Sequence, residues 1–159
     1  MGVRRRAREG ALQLLYQLEA HTEPDREGLP AGVKVARPVV IEAPAGGLDA
    51  LFATFFENFS APDKAREFTE ELVRGIVDDA DAIDAVIQDE STKWKLERMT
   101  AVDRNVLRLA TYELKSQSDI PGRVILDEAI EIARRFGTED SARFVNGVLD
   151  GLHKRLRPA

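Results

Sequence analysis

Residues 100–115 read TAVDRNVLRLATYELK, and this stretch decides the fold. At about 100° per residue, Val102, Val106, Leu107, Leu109, Ala110 and Leu114 spread over a wide arc of one helix. A helix that packs on a single neighbour needs only a narrower stripe. The wide arc predicts a central helix touched from several sides, with Arg104, Arg108, Thr111 and Lys115 on the remaining strip. Thr100 and Asp103 have the T-x-x-D spacing of a capping box, which fixes the helix start. Glu113 falls inside the apolar arc, where an unpaired carboxylate is costly. A structural ion pair with an arginine resolves that cost, because lone buried acids are rare.

Upstream of this helix, residues 4–20 read as another, with Ala7, Ala11, Leu14, Leu15 and Leu18 as its apolar stripe. Arg5 and Tyr16 lie beside the stripe, about 20° apart in projection. A phenol near guanidinium groups can stack a base while the arginines hold phosphate. The plainer readings are a half-buried tyrosine at the core edge and a solvated basic tail. Residues 21–47 differ in kind: they hold Pro24, Pro30, Pro38 and Pro44 and four glycines, which forbids a long helix. They read as a long loop that covers a surface or meets a partner. VKVARPVVIE within it can be extended, but Pro38 restricts it to an edge strand or none.

Leu48–Phe59 (LDALFATFFENF) places Leu51, Phe52, Phe55, Phe56 and Phe59 at helical spacing, either for docking or for the core. Ser60, Pro62 and Asp63 mark the next helix start, with Ser60 as cap. Its predicted buried face is Phe68, Leu72, Val73, Ile76 and Val77. Asp78–Glu90 is acidic but lacks the glycine and ligand spacing of a calcium loop. Ile83, Val86 and Ile87 make it an amphipathic helix with acids at the favourable end of its dipole. Trp94 is expected to pin the following link to the core. After Asp119–Gly122 comes a helix with Ile125, Ala129, Ile132, Ala133 and Phe136 as its stripe and Gly137 as a left-handed cap.

The last helix, from about Glu139 to Leu156, buries Ala142, Val145, Leu149, Leu152 and Leu156. Phe144 points about 125° from that stripe, on the side of Asp140 and Arg143. Beside an arginine it has the makings of a base-stacking platform, unless a helix or the long loop covers it. Gly147 suggests a close helix approach. The pattern as a whole is all-α: about seven helices and no convincing strand.

Net charge −5 divides into +4 on residues 1–8 and −9 on the remainder. A basic arm on an acidic body touches phosphate while the body repels nonspecific nucleic acid. There is no cysteine, which excludes disulfides, thiolate metal sites and a thiolate nucleophile and suits a reducing cytoplasm. No apolar run approaches the roughly 20 residues of a membrane span, and no signal-type apolar region follows the arginines. His21 and His153 stand apart, with no G-x-S-x-G or phosphate-loop pattern, so the chain reads as non-catalytic and without cofactor or metal.

RRRAREGALQLLYQLE, VDRNVLRLATYEL and IPGRVILDEAIEIARRFGTEDSARFVNGVLD, in that order, resemble the NusB family of bacterial transcription antitermination factors. The resemblance implies two packed helical subdomains, taken as about 1–79 and 80–159. It implies binding of boxA RNA together with ribosomal protein NusE, in an antitermination complex with RNA polymerase, in the cytoplasm. Carried over residue by residue, it implies RNA contacts by Arg4, Arg5, Arg6, Arg8, Tyr16, Asp103, Asp140, Arg143 and Phe144. A carboxylate fits there because it accepts from base amino groups. Residues 21–47 are longer and richer in proline than the family's usual link. A contrasting reading is a helical assembly protein whose exposed phenylalanines mediate self-association, for instance as a homodimer.

Overall fold

The structure is a computed structural model that describes residues 2–21, 27–32 and 39–158. Seven α-helices occur among them: α1 Val3–Leu18, α2 Leu48–Asn58, α3 Asp63–Asp78, α4 Ala80–Glu90, α5 Ala101–Ser116, α6 Gly122–Phe136 and α7 Ser141–Leu156. A short 3-10 turn covers Leu96–Arg98. The all-α expectation holds with one correction. Glu19–His21 (β1) and Val39–Ile41 (β2) pair antiparallel, with Glu19 opposite Ile41 and His21 opposite Val39. Val39 and Ile41 face the core in strand alternation, and α1 therefore stops at Leu18 rather than near residue 20. Within the expected loop of residues 21–47, residues 22–26 and 33–38 lie outside the described residues.

Helix α5 is central, in contact with α1, α3, α4, α6 and α7. Its apolar arc is buried: Val106, Leu107, Leu109, Ala110 and Leu114 are all nearly inaccessible. Its polar strip is largely enclosed as well. Arg104, Arg108 and Thr111 are buried, and only the end of the strip, at Lys115, is exposed. The cause is Glu19, at the end of α1. Its carboxylate accepts from Arg104 Nε at 2.9 Å and Nη2 at 2.6 Å, from Asn105 Nδ2 at 2.7 Å and from Arg108 Nη1 at 3.1 Å. Arg108 also donates to both carboxylate oxygens of Asp84 on α4, at 2.8 and 2.9 Å. Buried charges persist only when paired and hydrogen-bonded in this way.

Elsewhere the apolar stripes pack as expected and a few local expectations fail. Phe52 and Phe59 are buried, and the stacked Phe55 and Phe59 rings lie 4.8 Å apart, so the phenylalanines of α2 belong to the core side. Ser60 is not a helix cap. Helix α3 begins at Asp63 without a side-chain cap bond, and the Ser60 carbonyl accepts from Arg6 Nε at 2.9 Å. Gly137 has φ −94°, outside the left-handed region; it is small because a Cβ there would meet Ser141 Oγ at 2.3 Å. Gly147 faces open space rather than a neighbouring helix. Trp94 is 57% exposed instead of pinned inward.

Candidate nucleic-acid interface

The arginines of α1 divide by what they touch. Arg4 is exposed and makes no ion pair among the described residues; its guanidinium carbon is 5.9 Å from the Phe68 ring centroid. Arg5 donates from Nε and Nη2 to the two oxygens of Glu128 on α6, each at 2.9 Å. The hydrogen bond from Arg5, more than its charge, holds the Glu128 carboxyl below its ordinary range, against the opposing effect of burial. Arg6 lies 3.7 Å above the Phe59 ring centroid and 3.3 Å from Glu9, and it is half-buried. Arg8 differs from all three. It is 3% exposed and forms a bidentate pair with Glu113, which is 2% exposed. The expectation that Arg8 meets RNA is therefore not matched by an available guanidinium. One helical turn below Arg4, a side chain points at α5 and α3 rather than at solvent.

Tyr16 is 65% exposed, so the alternative of a half-buried tyrosine fails. It borders a largely apolar groove of about 330 Å³ with Leu12, Ala101, Val102 and Phe136. The helical spacing places Phe136 at the end of the core stripe of α6. It sits past the last buried turn of α6 and is 42% exposed, with the Arg135 guanidinium 5.3 Å from its ring centroid.

Across the first turn of α5 lies a second pocket, of about 260 Å³. It collects Asp103, Asp140 and Phe144, three of the expected residues, together with Trp94, Arg98 and Thr100. The capping box that starts α5 is half formed. Asp103 N–H donates to Thr100 Oγ1 at 3.1 Å, but the Asp103 carboxylate does not return the bond. Asp103 is 7% exposed, and its Oδ1 has no hydrogen-bond partner among the described residues. Phe144 is partly buried, packed against the core, and lines this pocket together with Trp94. Arg143 lies beyond Phe144, in an adjoining groove with Lys93, Trp94 and Gly147.

Tyr16, Asp103, Asp140, Arg143 and Phe144 are thus gathered around the start of α5, while Arg4 lies 12 residues before Tyr16 on α1, or about 18 Å along the helix. The sequence reading missed Trp94, Arg98 and Phe136 as members of this face. The signal for Trp94 was present in Lys93-Trp94-Lys95, an aromatic between two cations in a link. Among the described residues no cluster of His, Cys, Asp or Glu could hold a metal ion. No helix among them is long and apolar enough to cross a membrane.

This all-helical arrangement is that of a class of transcription antitermination factors. The chain is 37% identical to T. maritima NusB, with a TM-score of 0.69 over 95% of this chain and 90% of that one. Its curated relatives include the transcription antitermination protein NusB of Sorangium cellulosum, 40% identical over 98% of this chain and 95% of the relative. That of Myxococcus xanthus is 42% identical over 94% of both. A chain of a solved complex of antitermination factors NusB and NusE with double-stranded RNA shares the fold, at TM-score 0.69 and 24% identity, covering 96% of this chain and 97% of that one. The NusB family model matches residues 5–154, and the chain belongs to the NusB family. It is a transcription antitermination factor and not an enzyme.

Proposed function

We propose that the protein binds single-stranded boxA-type RNA together with ribosomal protein NusE and, within a complex on RNA polymerase, promotes read-through of terminators. The observation that carries this reading is the meeting of an exposed Tyr16, a Phe144 pocket and two carboxylates around the start of α5. Rings offer faces to unstacked bases, which a duplex does not present. Carboxylates accept from base amino groups, and Arg4, Arg5, Arg6 and Arg143 supply phosphate contacts at the margins. Arg8 is left out of this set and supports α1 from beneath. The relative solved with NusE and RNA supports the choice of partners. Two helical halves meeting at α5, about 1–79 and 80–159, would let RNA cross both.

The test is titration of boxA-type, scrambled and duplex RNA across a salt series, with and without NusE. Expected is selective binding of the boxA strand, strengthened by NusE, since a bound partner adds contacts or lowers the ordering cost. An Arg4/Arg5/Arg6→Ala protein should show a shallower salt dependence, by about 0.7 in slope per lost phosphate contact. Phe144→Ala should weaken discrimination. Equal, weak binding to all strands, unchanged by NusE, would replace this reading with self-association. Sedimentation at several concentrations would then report a homodimer.

A further inference from the structure

We infer that Arg135, in the last turn of α6, is a further RNA phosphate contact, set in place by the buried carboxylate of Glu9 and bridging the gap between the arginines of α1 and the groove of Tyr16 and Phe136. This rests on the RNA-binding reading and adds to it a residue outside the set expected from the sequence.

Helix α1 leaves part of its length without positive charge. After Arg8, which is buried on Glu113, it carries no further cation, and its exposed residues there are Gln13, Tyr16 and Gln17. Arg135 comes to this gap from α6. Its Nη1 donates to Glu9 Oε1 at 2.7 Å, while Glu9 Oε2 accepts from Arg6 Nη1 at 3.3 Å. Two guanidiniums therefore flank one carboxylate, and Glu9, only 4% exposed, holds both. The next residue, Phe136, lines the groove with Tyr16, and the Arg135 guanidinium carbon lies 5.3 Å from the Phe136 ring centroid. Arg6, Glu9, Arg135, Phe136 and Tyr16 thus follow one another from the basic arm to the groove, across two helices.

The charges select the ligand. One carboxylate between two guanidiniums leaves one positive charge over. Arg6 is the more committed of the two: its Nε donates to the Ser60 carbonyl at 2.9 Å, and its guanidinium carbon lies 3.7 Å from the Phe59 ring centroid. Arg135 uses only Nη1 for hydrogen bonds among the described residues, and its side chain is 41% exposed. Its Nε and Nη2 are left to donate, the fork that takes phosphate oxygens in pairs. Arg134, the residue before it, is answered one-to-one by Glu131 at 2.6 Å and leaves no such surplus. The surplus calls for an anion. The rings of Phe136 and Tyr16 beside it call for one that carries flat bases, which is single-stranded RNA and not free phosphate or an acidic peptide.

The experiment titrates boxA-type single-stranded RNA against the full chain by fluorescence anisotropy over a salt series. Arg135→Ala should lower the slope of log affinity against log salt by about 0.7, the value of one single-strand phosphate contact. Arg135→Lys should keep the slope, because it keeps the charge. Lys154→Ala removes an exposed cation in the last turn of α7 and should leave the slope unchanged. Circular dichroism checks that each variant folds. Should Arg135→Ala unfold because Glu9 loses a partner, Arg135→Gln, which still donates to that carboxylate without charge, takes its place with the same expected loss. An unaltered slope in the folded neutral variant overturns the contact and leaves Arg135 as a partner of Glu9 alone. An equal loss in Lys154→Ala also overturns it, since the effect is then one of overall charge. If Arg4/Arg5/Arg6→Ala still lowers the slope in either case, the RNA reading survives without Arg135. If wild type does not bind the strand, the RNA reading falls as well.

Discussion

Arg8 and Glu113, 105 positions apart in the chain, meet in the interior through Nη2 to Oε1 at 2.7 Å and Nε to Oε2 at 2.9 Å. The pair joins α1 to α5 beneath the basic arm. Removing one partner leaves a buried charge alone. Arg8→Ala is therefore expected to destabilise the protein by about 3–5 kcal/mol, whereas Arg8→Met with Glu113→Leu should recover most of that loss. Urea unfolding of the two variants checks it; equal losses would mean that the cost lies in packing and not in the orphaned carboxylate.

Arg4 gives the contrasting result. It is exposed and free of carboxylates among the described residues, so Arg4→Ala should leave the unfolding midpoint in place. It should lower the slope of log affinity against log salt for single-stranded RNA by about 0.7. Conservative Arg8→Lys, at a site that demands two parallel bonds, should do the reverse: lose stability and keep the slope.

Glu128 competes with phosphate for Arg5. Glu128→Gln should strengthen RNA binding and steepen its salt dependence, read in the same titration. The stability effect has a definite sign. The folded-state pKa of Glu128 lies below its ordinary value of 4.5, so the wild type holds its advantage over Glu128→Gln above that pH. The advantage then disappears as pH falls through the folded-state value. A difference between the two proteins that grew on acidification would contradict the assignment.

Tyr16→Ala should cost about 1–3 kcal/mol of single-stranded RNA affinity. Thermal stability should barely change, since most of the ring is already in water. Tyr16→Phe should retain the affinity if the face of the ring, and not the hydroxyl, makes the contact.

Glu19 tests the polar interior. It serves Arg104, Asn105 and Arg108 together, and Glu19→Gln removes the charge paired with the buried Arg104, while Arg108 keeps Asp84. A loss of about 3 kcal/mol or more in denaturant unfolding is expected.

What the sequence determined by itself was the set of helices, the start of α5 and the faces that pack. Those follow from a local period of 3.6 residues and from a side chain binding a backbone amide three positions away. The same periodicity singled out Tyr16 and Phe144 as lying off the core stripes. It also made Glu113 a residue that needed an arginine. Which arginine answered was settled by tertiary structure, because a helical stripe says which face is covered and not what covers it. Arg4 and Arg8 carry the same group one turn apart; α3 and α5 cover one and leave the other in solvent. For the same reason Arg104 and Arg108 went inside once Glu19 was brought against them, and Val39–Ile41 became a strand once Glu19–His21 offered an edge. Trp94 reads as core by composition, but the hydrogen bonds that fix its link turn the indole outward, beside Phe144 and Asp103.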